Sequence, residues 1–211
     1  MIKGIHFDWG GVLIENVGEV INEHIGRELG VDPKKVLEVR MKYDFEFAEN
    51  KVREEQIWKE VCRECSVDYK IQNGRSLWKE AFASVYSPRK EMFNLVDQLK
   101  SNGYRVGLLS NTELPSAEFF LEKHPGLFDS TVFSCQEGIT KPKIKPGIKP
   151  NLKIYEIAIQ RLGVPASESV FIDDREWCLE SAERAGLKGI LYLSYEQITN
   201  NLRELGVNLY R

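Results

Sequence analysis

Short apolar runs of strand length alternate along most of the chain with longer stretches in which apolar side chains recur at helical spacing. The short runs are "IKGIHF" (2–7), "YRVGLLS" (104–110), "TVFSC" (131–135), "SVFID" (169–173) and "KGILYL" (188–193), rich in the branched and aromatic residues that suit strands. Between them, "PRKEMFNLVDQLKSNG" carries Pro88 near its start and Gly103 at its end, and "NLKIYEIAIQRLG" stops on Gly163, the proline-first, glycine-last signature of a helix. Such alternation predicts an α/β fold: a Rossmann-like, doubly wound parallel sheet with helices on both faces. In that architecture ligands bind outside the carboxyl ends of the strands. Asp8, Ser110 and Asp173 stand at three of those ends.

One segment breaks the rhythm. From Ile14 to Ser87 only helical patterns occur: "GEVINEHIGRELG", "PKKVLEVRMKYDFEF", "REEQIWKEVCREC" and "GRSLWKEAFASVY". A block that leaves after the first strand and returns before the second reads as a helical cap domain over residues 15–87, inserted into a core domain of residues 1–14 and 88–211. The stretch "ITKPKIKPGIKPN" (139–151), with lysine-proline pairs at Lys141, Lys145 and Lys149, reads as an extended loop, because the residue before each proline is pushed out of the helical region.

Composition narrows the partners. Apolar residues make up 42% and charged residues 29%, with a net charge of -3, ordinary for a soluble globular protein. No basic stripe marks a nucleic-acid or anionic-membrane surface, no run is long enough to span a bilayer, and "MIKGIHFDWG" has no signal-peptide organisation. The 4 cysteines are scattered, and the CxxC pair Cys62 and Cys65 lacks the second pair a structural metal site needs. The expectation is a cytoplasmic protein, monomer or homodimer, acting on a small molecule.

The candidate chemistry gathers at the strand ends. Asp8 runs directly into Gly10 and Gly11, which allow backbone N–H groups to approach an anion closely. Ser110 and Asn111 add a hydroxyl and further donors at a neighbouring strand end. Lys149, just before the helix of "NLKIYEIA", places an ammonium near the same edge. Asp173 and Asp174 put adjacent carboxylates at a third strand end, where each raises the other's pKa unless a cation holds them; oxygen ligands beside a phosphate favour magnesium. His6 reads as a core histidine.

Taken together, "IHFDWGGVL", "VGLLSNT", "KPNLKIYEIAIQRLGV" and "VFIDDRE" resemble, in order and spacing, the four motifs of the haloacid dehalogenase superfamily, specifically its small phosphatases with a helical cap after the first motif. The resemblance covers the whole chain. It implies Asp8 as the nucleophile that becomes an aspartyl phosphate. It implies magnesium held by Asp8, the Gly10 carbonyl and Asp174, with Asp173 bound or close by, and a phosphoryl group held by Ser110, the amides of Trp9, Gly10 and Asn111, and a lysine. Lys141 and Lys145 compete for that last role; the spacing to "IY" and to the aspartates favours Lys149.

Two positions depart from the family pattern. Most phosphatases of the superfamily carry a second, acid-base aspartate where this chain has Gly10, and Cys178 stands where relatives with "DDRE" usually carry asparagine. Sugar-phosphate phosphatases are among the members with glycine at the first position, which points to substrates whose leaving groups need little protonic help. In "FEFAENKVREEQIW" (45–58), Asn50 takes the place of a glycine often found in the cap turn, tolerable because asparagine visits left-handed backbone. The alternatives are a 2-haloacid dehalogenase, which needs no metal, and a descendant that binds phosphate or a protein without catalysis.

Overall fold

The computed structural model describes residues 1–209. Its centre is a sheet of 5 parallel strands in the order β3-β2-β1-β4-β5: β1 Gly4–Phe7, β2 Arg105–Ser110, β3 Ser130–Phe133, β4 Ser169–Asp173 and β5 Lys188–Leu191. Of the three strands flanked on both sides, β1 and β4 are buried throughout and β2 everywhere but at its first residue, as expected of a parallel sheet covered on both faces. Period-two alternation divides the interior. Val106, Leu108, Val170 and Ile172 join one apolar cluster with helix α6 (Lys90–Ser101), whereas Leu109, Val132 and Phe171 join a second with α9 (Lys153–Leu162) and α10 (Glu176–Arg184). The expected α/β, doubly wound arrangement is the one observed.

Residues 15–87 contribute no strand to the sheet and form α1 (Gly18–Leu29), α2 (Pro33–Met41), α3 (Asp44–Ala48), α4 (Glu54–Glu64) and α5 (Leu77–Val85). Local chemistry sets several of their ends. Asp32 caps α2 by accepting from the Lys34 N–H, with Pro33 opening the helix, and Ser76 caps α5 through the Lys79 N–H. The pattern read as one helix over 33–47 is broken at Lys42 and Tyr43 into α2 and α3. Asn50 follows at φ 55, in the left-handed region that its short polar side chain tolerates.

After β2 come α7 (Leu114–Lys123), then the one-turn α8 (Ser134–Glu137), into which β3 runs directly; the expected strand over 131–135 therefore ends at Phe133. The last helix is α11 (Tyr195–Glu204). All 4 cysteines are free, and no helix among the described residues is long and apolar enough to cross a membrane.

Candidate active site

Strand register assembles the site. Phe7 pairs with Leu108 on one side and Ile172 on the other, and the Asp8 N–H donates to the Ile172 carbonyl. The residue after β1 is thereby held between the ends of β2 and β4, beside Ser110 and Asp173. Its carboxylate is almost sealed, at 7% exposure. One oxygen accepts from the N–H of Trp9 at 2.8 Å, the other faces the Lys141 ammonium at 3.0 Å, and the Ser110 hydroxyl also hydrogen-bonds the group. Burial pushes the Asp8 carboxyl up to about 6, with Lys141 pulling the other way.

Lys141 is the cation at the centre. Its Nζ lies 2.6 Å from Asp173 Oδ2 as well as 3.0 Å from Asp8 Oδ2, and the side chain is fully enclosed. Burial alone lowers an ammonium's pKa, but the carboxylates of Asp173 and Asp8 outweigh it and hold Lys141 well above its ordinary value. The structure therefore corrects the choice among the three lysines. Lys149, preferred on spacing, sits exposed beyond a turn in which Lys145 pairs with Ile148, and Lys141 occupies the place expected of it. The physical reason is anchoring: the Lys141 N–H donates to Asn111 Oδ1 at 2.8 Å, and the Pro142 carbonyl accepts from Ser181 at 2.6 Å.

The remaining expected residues fall around this pair. Asn111 positions Lys141 through its side chain. Asp173 is fully buried and uses both oxygens, one on Lys141 and one on the N–H of Arg175 at 2.8 Å. Asp174 is the reverse case: its Oδ2 accepts only a long bond from Asn16 at 3.4 Å, and its buried Oδ1 has no partner among the described residues. Carboxylate oxygens of Asp8, Asp173 and Asp174 lie within 4.8 Å of one another. Three acids this close, with one oxygen left without a hydrogen bond, form the hard-oxygen donor set that a divalent cation fits. Gly11 secures the approach: at φ +77, a Cβ there would lie 2.2 Å from Asp174 Oδ2. Cys178 is buried beside Asp173, and burial pushes its thiol far up, so it stands as a neutral wall. His6 is a buried, neutral core residue, lowered by burial to about 4, with neither ring nitrogen bonded among the described residues.

Over this cluster lies a cavity of about 480 Å³ whose walls come both from Gly10 and Ser110 and from the inserted helices, through Arg40, Asp44, Trp78 and Phe82. Three participants escaped the sequence reading. Arg89 donates to the carbonyls of Gly11, Val12 and Ile14 and pairs with Glu15 at 2.7 Å, clamping the loop after Asp8. Asn16 reaches Asp174, and Glu113 lines the cavity near Arg40. The signal for Glu113 lay in its position three residues after Ser110; Arg89 and Asn16 act across folds of chain that no local pattern reports.

The model of the family described as haloacid dehalogenase-like hydrolase matches residues 2–186. The chain belongs to the haloacid dehalogenase-like hydrolases. Three curated relatives are similar to parts of this hydrolase. Acyl-CoA dehydrogenase family member 10 of Mus musculus is 27% identical over 89% of this chain and 18% of that protein. Sesquiterpene phosphatase astK of Aspergillus oryzae is 29% identical over 49% and 50%, and (S)-2-haloacid dehalogenase 4A of Burkholderia cepacia is 28% identical over 58% and 51%. The chain thus spans about half or less of the length of each of these relatives. Among solved structures, a family enzyme of Bacteroides thetaiotaomicron in complex with magnesium and inorganic phosphate superposes with a TM-score of 0.68 at 20% identity, covering 92% of this hydrolase and 95% of that chain.

Proposed function

We propose that this hydrolase is a magnesium-dependent phosphatase of a small phosphorylated metabolite, a sugar phosphate among the candidates, working through an aspartyl phosphate on Asp8. The observation that carries the proposal is the partnerless Asp174 oxygen beside Asp8 and Asp173. Displacement at carbon has no use for a third acid left without a hydrogen bond, whereas phosphoryl transfer needs positive charge there. Asp8, Asp174 and the Gly10 carbonyl would hold magnesium, with Asp173 alongside, and the ion when bound supplies charge against the phosphoryl oxygens.

The chain's own residues account for the rest. The Asp8 carboxylate attacks phosphorus as the ester P–O bond breaks, and the departing oxygen takes the proton of a monoprotonated phosphate, so no acid at position 10 is required. Ser110, the backbone N–H groups after Asp8 and at Asn111, and the Lys141 ammonium hold the phosphoryl oxygens while charge moves among them. Lys141 also offsets the mutual repulsion of Asp8 and Asp173, keeping the nucleophile ionised although burial opposes it. The helices over 15–87 act as the cap that closes the cavity around the leaving group. General acid-base catalysis contributes about a hundred- to ten-thousand-fold, so its absence at Gly10 directs the enzyme toward leaving groups such as an anomeric hydroxyl, an enol or an acyl group.

Phosphate release should appear with magnesium on a panel of sugar phosphates, acyl phosphates and p-nitrophenyl phosphate. It should disappear with EDTA and in folded Asp8→Asn, falling at least about a thousand-fold as expected for loss of the attacking group. The dehalogenase-named relative favours one other reading, halide release from a short 2-haloacid. Metal-independent halide release without phosphatase activity would decide for it, and silence on every substrate would decide for a binding descendant.

A further inference from the structure

Glycine at position 10 is demanded neither by the backbone nor by crowding. Its φ lies outside the left-handed region that Gly11 occupies, and a Cβ built on it would meet nothing nearer than Asn16 Oδ1, at 4.0 Å. The space into which a carboxylate at this position would project is therefore open, and the polar group facing it is a carboxamide. The other end of that carboxamide donates to Asp174 Oδ2 at 3.4 Å. Asn16 lines the large cavity and also the smaller pocket formed by Asp8, Ser110 and Lys141. It lies where the chain leaves the sheet for the inserted helices, a junction closed by the Glu15 N–H donating to the Ser87 carbonyl at 3.0 Å.

We infer that Asn16 is the positioning residue for hydrolysis: its carboxamide oxygen accepts a hydrogen bond from a water held in the space beside Gly10 and aims that water at the phosphorus of the aspartyl phosphate. The inference rests on the aspartyl-phosphate reading above. In the step concerned, the water oxygen forms its bond to phosphorus as the bond between phosphorus and the Asp8 oxygen breaks, and the electron pair returns to the Asp8 carboxylate. Both water protons end on the product, which leaves as dihydrogen phosphate and then equilibrates with solvent. A carboxamide takes no proton at neutral pH, so Asn16 orients the water and does not act as a base. Formation of the aspartyl phosphate uses no such water. Loss of Asn16 should accordingly slow the second half of the reaction and spare the first.

The consequence is readable in rapid-mixing kinetics with p-nitrophenyl phosphate and magnesium on the full chain. Asn16→Ala should show a burst of nitrophenolate approaching one per chain, then a steady rate on the order of tenfold below the parent, the scale of one oriented hydrogen bond. Its steady rate should become the same for good and poor leaving groups, because breakdown of a common intermediate limits every substrate. Gly10→Asp, for which the open space has room, supplies a carboxylate to hold the water; in that background Asn16→Ala should cost less than about twofold, the sign of a shared task in a double-mutant cycle. A parallel fall of burst and steady rate would assign Asn16 only to holding Asp174 and overturn the inference, as would unchanged kinetics. A parent protein that turns over no phosphate ester would overturn the phosphatase reading and the inference together, so the two failures are told apart by the parent alone.

Discussion

Glu113 illustrates how much a single side chain on the cavity wall can report. Burial raises its carboxyl to about 7 from an ordinary 4.5, against the pull of its own backbone, Arg40 and Ser116, with the Asp44 carboxylate adding to the rise. The folded protein thus holds a proton on Glu113 that the unfolded chain has lost, and the sign follows directly. Between pH 4.5 and about 7 the folded state binds more protons, so stability falls as pH rises through that window, by on the order of 1–3 kcal/mol, and is level above it. Glu113→Gln removes the titration. Chemical denaturation of the two proteins should show the variant gaining on the parent as pH climbs through the window and holding a constant advantage above it; equal slopes at all pH values would place the Glu113 carboxyl in solvent.

At the scale of elements, the loop between α8 and α9 decides which lysine reaches Asp8 and Asp173. Lys141, Lys145 and Lys149 recur every fourth residue before a proline, and that regularity carries no information about which one is anchored. Residues 140–142 are fixed by partners far along the chain: Glu49 for Thr140, Asn111 for Lys141 and Ser181 for Pro142. The turn closed by Lys145 and Ile148, with Gly147 at φ 73, then carries Lys149 outward. Lys141→Met should reduce phosphate release by at least about a thousand-fold, since it removes a charge in contact with the attacking group, whereas Lys149→Ala should stay within about twofold, as exposed substitutions do; the opposite ranking would restore the spacing-based choice. The same contrast explains what the sequence could show. Strands β1, β2 and β4 were legible because each is a largely buried apolar run that ends at or just before a polar residue, Asp8, Ser110 and Asp173. Arg89, which secures the Gly11 carbonyl 78 residues away, and Asn16, which meets Asp174 158 residues away, have no local signature. The early stop of β3 has one only in hindsight: Ser134 is buried with its hydroxyl donating to the Ala48 carbonyl at 2.7 Å, and this contact belongs to a turn of helix.

On the scale of the whole molecule, the inserted helices meet the sheet-bearing part at contacts of unequal worth. Lys79 and Glu122 pair at 2.7 Å with side chains 31% and 65% exposed, an arrangement worth at most about 1 kcal/mol. Glu49, just past the end of α3, is different: its Oε1 accepts from both the N–H and the hydroxyl of Thr140, at 3.1 and 3.0 Å, while the adjacent Ala48 carbonyl receives the buried Ser134 hydroxyl. Since Thr140 directly precedes Lys141, this contact both fastens the helices over the cavity and steadies the lysine beneath them. Removing a carboxylate that takes two hydrogen bonds strands two donors, a larger loss than breaking the exposed pair. Glu49→Ala should therefore raise KM for p-nitrophenyl phosphate by on the order of three- to tenfold and speed native-state proteolysis within residues 15–87, with Lys79→Ala matching the parent in both. Faster proteolysis without a change in KM would mean that the helices can loosen while Lys141 stays in place, held by Asn111, Asp8 and Asp173 alone; a change in KM without faster proteolysis would mean that Glu49 acts on the lysine and that closure of the cavity depends instead on the Phe82 ring against Trp9 and on the Trp78 indole N–H donating to the Ser116 hydroxyl.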